Sequence, residues 1–347
     1  MMRKITYLCP APVKPSGGVA VLLKQAMLLH EAGYEVSVYY RPLAAGDAPD
    51  GAQRLEPLHI DWLDFSVHGL PLIPLGHGTI ELSRGERLNL QPNLPLDADS
   101  LLVIPEILGS LMRETRSAPC KRLVFAQNWT YILTSLPPAV SWRDYGISQV
   151  LTVGENIKRF VDSTMPGLDV GVVRYSINRA VFRPGKNKQA LISFHVRNDY
   201  MWSKMDQVAR IFHLKNPHLR HYRFEPLQGL SRQAFAERLA SSRVVLYCDE
   251  IAGMPTLPLE AMACHAIPVG WKTYGGVEYM RENNGFWVEN GDIQGLADKL
   301  SEVVDQVERG TLDMARLIGG FEETLDHFTE DKERRNTLAY FERLLAE

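Results

Sequence analysis

Cysteine is scarce and unpatterned in this sequence: Cys9, Cys120, Cys248 and Cys264 are scattered over 347 residues with no Cys-x-x-Cys pair. That argues against a disulfide framework or a zinc site and predicts four reduced thiols in apolar surroundings. Long hydrophobic runs are missing too. None reaches the roughly 18 residues needed to span a bilayer, and Met1-Met2-Arg3-Lys4 passes into the strand-like Ile5-Thr6-Tyr7-Leu8 without a cleavage pattern. The expectation is a soluble, cytoplasmic protein. Nor is there an excess of positive charge, since 38 Lys and Arg stand against 41 Asp and Glu and the densest basic cluster is Lys332-Glu333-Arg334-Arg335. Nucleic acid is therefore not an expected partner. Repeats and low-complexity tracts are absent. The glycine loop Pro15-Ser16-Gly17-Gly18 is neither Gly-x-Gly-x-x-Gly nor a Walker loop with its lysine. Dinucleotide binding is disfavoured accordingly, although Glu35 lies near the distance where a ribose-binding acid would be sought.

What the chain does have is a strand and helix rhythm, run through twice. Residues 5–9, a glycine loop, a helical run over 19–32 and a second strand over 34–40 form a βαβ unit, with Gly33 at the expected helix C-cap. Residues 41–97 are richer in Gly, Pro and His, and only broken strands at Leu70 to Leu75 and Thr79 to Leu82 can be assigned. Regular strands return at 100–106, 122–128 and 149–153. A Pro/Gly/Lys-rich connector ending near Lys188 marks the domain boundary. Strands and helices then alternate over 190–195, 205–212, 222–227, 232–240, 244–248, 259–265 and 267–269. The predicted fold class is α/β: two doubly wound domains, 1–178 and 179–325, with 326–347 a terminal helix that crosses back to the first domain.

Chemistry concentrates at predicted strand ends. In residues 249–270 an apolar strand opens into a Gly/Pro-turned loop with Gly253, Met254, Pro255, Thr256 and Leu257, then a short helix with Pro258 and Glu260 in its first turn. Free amides there could face an anion, and Glu260 could accept hydrogen bonds from a pair of sugar hydroxyls or simply complement the helix dipole. Arg197 and Lys204 follow the strand ending at Val196. They could converge on one pyrophosphate, neutralising a diphosphate leaving group, or remain solvated surface charges. His195 reads as a core histidine or a titrating group. In the first half, Gly17 and Gly18 either present amides to a ligand or make a tight turn. Glu106 could be a general base or anchor an acceptor hydroxyl, while Gln127, Asn128 and Trp129 form an acceptor-binding set for sugar, or cap strand ends.

Together these features resemble the GT-B nucleotide-sugar glycosyltransferases, in particular the large retaining group called family four, the glycosyl transferases group 1. That family reads Glu-Gly-Phe-Gly-Leu-Pro-x-x-Leu-Glu-Ala followed by Met-Ala-x-Gly-x-Pro-Val. Gly253, Leu259-Glu260-Ala261-Met262-Ala263 and Ile267-Pro268-Val269 match it here, and Tyr274-Gly275-Gly276-Val277-Glu278 is similar to the motif that follows. The resemblance implies two Rossmann-like domains facing a cleft. Catalysis would rest on Arg197, Lys204, Glu106 and Asn128, and the donor on Gly17, Gly18, Glu225, Leu227, Glu250, residues 253–257 and Glu260. No metal and no cofactor would be required. The family's first acid falls at Ala252, which has no carboxylate; Glu250 stands two residues away, and a deoxy sugar donor is compatible with the loss.

The expected function is transfer of a sugar from a nucleoside-diphosphate-sugar to a glycan or lipid-linked acceptor, with retention, in polysaccharide or glycoconjugate biosynthesis. A lipid-linked acceptor would bring the protein to the inner face of the cytoplasmic membrane. Two alternatives stay open: a nucleotide-sugar epimerase recruiting Glu106, His195 and Glu250, and a non-catalytic nucleotide-sugar-binding subunit.

Overall fold

Short apolar strands alternating with helices form two separate, all-parallel sheets. The computed structural model describes residues 4–12, 15–42, 58–75, 94 and 96–346, and its contacts divide into a first unit of residues 1–174 with 333–347 and a second of residues 175–332. The expected strand at Thr79 to Leu82 lies outside the described residues.

In the first unit, β1 (Lys4–Ala11), β2 (Glu35–Pro42), β3 (Leu72–Pro74), β4 (Ser100–Pro105), β5 (Lys121–Ala126), β6 (Gln149–Thr152) and β7 (Asp169–Val172) lie in the order β3-β2-β1-β4-β5-β6-β7. The order reverses between β1 and β4, the switch point where a parallel sheet leaves room for a ligand at its carboxyl edge. The strand expected over Leu70 to Leu75 is pared to the three residues Leu72–Pro74, preceded by Pro71, which has no N–H to give a ladder. Helices α1 (Gly17–Glu31), α2 (Gly109–Glu114), α3 (Trp129–Thr134) and α4 (Glu155–Thr164) make the crossovers. Helix α1 buries Val19, Leu22, Leu23, Ala26 and Leu29, spaced to share one face. Gly33 ends it at φ 90°, its N–H on the His30 carbonyl and the Tyr34 N–H on that of Leu29, a complete Schellman motif.

The second unit orders its strands β8 (Gln189–Phe194), β9 (Arg223–Pro226), β10 (Ser242–Tyr247), β11 (Ile267–Trp271) and β12 (Phe286–Val288) as β12-β11-β10-β8-β9. Its helices are α5 (Asp199–Lys215), α6 (Arg232–Ser241), α7 (Leu257–Ala263), α8 (Ile293–Glu308) and α9 (Met314–Leu325). Met205, Val208 and Phe212 of α5 join Leu296, Leu300 and Val304 of α8 in one core with Ile192, Leu246 and Val269 of the sheet. Here the reversal falls between β8 and β10. Among the described residues no helix is long and apolar enough to cross a membrane. All four cysteines are buried free thiols, and burial pushes Cys248 and Cys264 up to about 12.

Helix α10 (Glu330–Ala346) ends the chain, with residues 333–346 part of the first unit. It buries Phe341 and Leu344, its Tyr340 hydroxyl donates to the Val150 carbonyl at 3.3 Å, and Glu333 pairs with Lys24 at 3.3 Å. Gly171 in β7 lies beneath Tyr340, where an added Cβ would come within 2.2 Å of the ring. Gly171→Ala should therefore cost the first unit about 1–3 kcal/mol, read as a lower urea midpoint, and Tyr340→Leu in the same chain should recover part of it. An unchanged midpoint for Gly171→Ala would contradict this packing.

Candidate functional site

The carboxyl edge of the first sheet gathers Gly17, Gly18, Glu106, Gln127 and Asn128. Gly17 and Gly18 are the first residues of α1 and neither has a positive φ, so the tight-turn reading is corrected. Instead Gly18 meets the next strand end: the Gln127 Nε2 donates to its carbonyl at 3.0 Å, and a Cβ there would lie 3.5 Å from Oε1 of Gln127. Glu106 is 4 % exposed. Its Oε1 accepts the Asn128 N–H at 2.8 Å. Burial pushes its carboxyl up to about 7, opposed by the N–H groups of Glu106, Gln127 and Asn128, which favour the ionised form. Asn128 itself caps α3, accepting from the Thr130 N–H at 3.0 Å and hydroxyl at 2.9 Å. Trp129 is half-buried, its ring tilted against Phe160 of α4 at 6.0 Å. Glu35 is corrected: it opens β2 opposite Lys4, at the amino edge of the sheet, the wrong end for a ribose. Sequence reasoning passed over Leu58, His59 and Trp62, which line a hollow with Ser16, Val19 and Ala20. Residues 58–75 carry no periodicity that would have pointed to them.

In the second unit, strand register decides which charges meet. β8 pairs with β10 so that Phe194 lies opposite Leu246, and three residues past each strand position stand Arg197 and Asp249. Their side chains form an ion pair at 2.5 Å. Lys204 lies inside α5, which begins before the helical run expected over 205–212 because Asn198 caps it by accepting the Met201 N–H at 2.9 Å. From there Lys204 is 8 % exposed and is ion-paired with Glu250. Its ammonium sits 4.1 Å from the Tyr200 ring and 5.0 Å from that of Trp271. Burial alone would lower its pKa, but the Glu250 carboxylate and Tyr200 raise it above the ordinary value. The two cations expected to converge on a pyrophosphate thus each hold a carboxylate. His195 is corrected from a core residue to an exposed one, and crowding around its ring, then Arg197, hold it below its usual value against the pull of Asp249.

The loop after β10 is tied down through its carbonyls. The Tyr247 hydroxyl donates to Asp249 at 3.0 Å, Tyr175 to Met254 at 2.9 Å and Tyr279 to Pro255 at 2.6 Å. Gly275 is required beside it, since a Cβ would sit 2.3 Å from the Gly253 carbonyl oxygen. Ala252 is 2 % exposed, so the position of the absent acid is itself in the core. Thr256 precedes α7, and Leu257, its first residue, is buried. Glu260 follows within the first turn, 2 % exposed, its Oε1 2.8 Å from the Arg232 guanidinium. Glu225 in β9 is paired with Arg238 at 2.7 Å. Leu227 is buried with its N–H on the Phe194 carbonyl, which leaves only its own carbonyl to offer a ligand. Arg232, Tyr175 and Tyr279 were missed by sequence reasoning. For Arg232 a signal existed: it is the first residue of α6, where a cation opposes the helix dipole. Among the described residues no group of three or more His, Cys, Asp or Glu could hold a metal ion.

Known structures share this architecture at low identity. A sucrose-phosphate synthase from Thermosynechococcus elongatus superposes with TM-score 0.67 at 14 % identity, covering 99 % of each chain. Anabaena HepE, solved with UDP and glucose, gives 0.67 at 13 % identity over 99 % of this chain and 100 % of that one. A mutant of Staphylococcus aureus TarM, solved with Fondaparinux, alpha-GlcNAc-glycerol and UDP, gives 0.54 at 14 % identity over 74 % of this chain, which spans 57 % of the TarM chain. No curated protein sequence matches the chain. Residues 223–311, from β9 into the turn after α8, match the family described as Glycosyl transferases group 1. The second unit thus carries a segment similar to that family, and the chain as a whole shares the two-sheet fold of these structures.

Proposed function

We propose that the protein transfers a sugar from a nucleoside-diphosphate-sugar to a glycan or lipid-linked hydroxyl, with the donor held by the second unit. The observation that carries this reading is the pair of ion pairs at the β8 and β10 ends, Arg197 with Asp249 and Lys204 with Glu250. A diphosphate brings the same charge as the two carboxylates with better geometry for a guanidinium fork and a compact ammonium. It would displace them, and the backbone N–H groups of Met254, Thr256 and Leu257 would complete its cradle. UDP in the HepE and TarM structures supports a nucleoside diphosphate as the ligand of this fold. Glu260 would then accept hydrogen bonds from the ribose hydroxyls, and the segment from Glu225 to Leu227 would lie beside the base.

Chemistry follows from the charge that leaves. As the bond from the sugar's anomeric carbon to the phosphate oxygen breaks, Arg197 and Lys204 neutralise the departing diphosphate, the principal contribution to lowering the barrier. The acceptor oxygen bonds to the anomeric carbon on the face the diphosphate leaves, and its proton passes to a phosphate oxygen, so the sugar's configuration is kept. Displaced from Lys204, Glu250 becomes available to a sugar hydroxyl in place of the acid missing at Ala252. The first unit would take the acceptor, with Glu106, Asn128, Gln127 and Trp129 at its carboxyl edge and Gly17 and Gly18 opening α1. A carboxyl that titrates near 7 can give or accept a hydrogen bond at neutral pH, which suits Glu106 to anchoring an acceptor hydroxyl.

Two outcomes check this reading. In a thermal-shift series with UDP, GDP, ADP and dTDP, at least one should raise the wild-type melting temperature by several degrees at 1 mM, and Glu260→Ala should lose that response; no shift, or an equal shift in Glu260→Ala, would sink the donor assignment. For Glu106 the sign is set by a folded-state pKa above the unfolded one. Its neutral form favours folding, so stability present near pH 4.5 is lost as pH rises toward 7, on the order of 3 kcal/mol. Urea unfolding of Glu106→Gln should lack that share of the decline; identical pH slopes for the two proteins would rule it out.

A further inference from the structure

Glu260 is nearly without water, and a carboxylate so dry stays ionised only beside a cation. The cation in contact with it is Arg232, Nη2 to Oε1 at 2.8 Å. Arg232 enters from the first position of α6, where the helix dipole disfavours a positive charge, so its place is explained by what it touches. Its guanidinium lies 4.5 Å from the Phe182 ring and 5.7 Å from the Phe235 ring, and these two rings meet edge to face at 6.4 Å. Phe182 is fully buried and belongs to the connector; Phe235 lies on the next turn of α6. A planar cation packed on rings from two elements cannot swing away as a solvated arginine would. Glu260 also acts on the Cys264 thiol and the Tyr279 phenol, both kept neutral by burial.

We propose that Arg232 is a positioning residue for the donor's ribose: clamped by Phe182 and Phe235, it keeps the Glu260 carboxylate charged and oriented to accept from the ribose diol. This rests on the donor reading above and adds the residue on which ribose selectivity depends. An ionised carboxylate accepts two hydrogen bonds from a diol, whereas a protonated one must donate one of its own. Losing Arg232 therefore converts ribose recognition into a pH-dependent property.

The test compares full-length wild type, Arg232→Met, Arg232→Lys and Glu260→Ala, using calorimetric titration at pH 6.5 and 8.5. The probes are UDP and 2′,3′-dideoxy-UDP. Wild type should bind UDP at least tenfold more tightly than the dideoxy form at both pH values. In Arg232→Met that ratio should fall toward one at pH 6.5 and recover in part at pH 8.5, as Glu260 loses its proton. Arg232→Lys, which keeps the charge without the ring-stacked fork, should lie between the two at pH 6.5. If Arg232→Met folds and keeps the wild-type ratio at both pH values, the inference is overturned. If it does not fold, Arg232→Lys decides: a wild-type ratio overturns the inference and a reduced one supports it. A wild-type ratio in Glu260→Ala strikes the donor reading itself, and that outcome is separate from a failure at Arg232 alone.

Discussion

Parallel register at one strand pair sets the chemistry of the second unit. With Phe194 opposite Leu246, the chains leaving β8 and β10 run out side by side, and the residues three places on, Arg197 and Asp249, meet as opposite charges. Lys204, seven residues after Arg197 in α5, meets Glu250, the residue after Asp249, and its ammonium lies over the rings of Tyr200 and Trp271. A buried hydrogen bond between the hydroxyls of Ser193 and Ser242 at 2.6 Å ties the same two strands together. A slip of one residue would turn every side chain to the other face and separate both pairs. The site therefore depends on the sheet, and its two cations are paired within the unit.

That neutralisation governs how such a site can bind. Cations left unpaired at a strand end would attract any anion, whereas these would exchange one partner for another, so binding energy would depend on how much better the ligand's geometry is than the carboxylate's. A diphosphate that spans both cations offers a bidentate advantage that a single phosphate lacks. The loop after β10 is held by its carbonyls, which accept from tyrosine hydroxyls at Met254 and Pro255.

How much of this could be read from the sequence follows from the range of each interaction. The βαβ opening was legible because its signals are local: an apolar strand, a helical stripe and Gly33 at φ 90°. The same holds for Leu259 to Val269, where a short motif carries strand, loop and helix together. Pairings were not legible, since Arg197 with Asp249 and Glu260 with Arg232 join residues 52 and 28 positions apart and depend on register and helix placement. Helix starts misled in two places: Gly17 and Gly18 could be read as a turn but begin α1, and the helix expected from 205 begins at Asp199, taking in Lys204, because Asn198 caps early. Arg232 is the instructive case, a cation at a helix start whose local conflict with the dipole was visible and unused.

The central claim is that a donor diphosphate replaces Asp249 and Glu250 on Arg197 and Lys204. A crystal structure of the protein with UDP-glucose tests it most directly. The account predicts diphosphate oxygens within hydrogen-bond distance of both cations, Glu250 released from Lys204, and the ribose hydroxyls on Glu260. A nucleotide bound with both ion pairs intact, or bound away from the β8 and β10 ends, would contradict it.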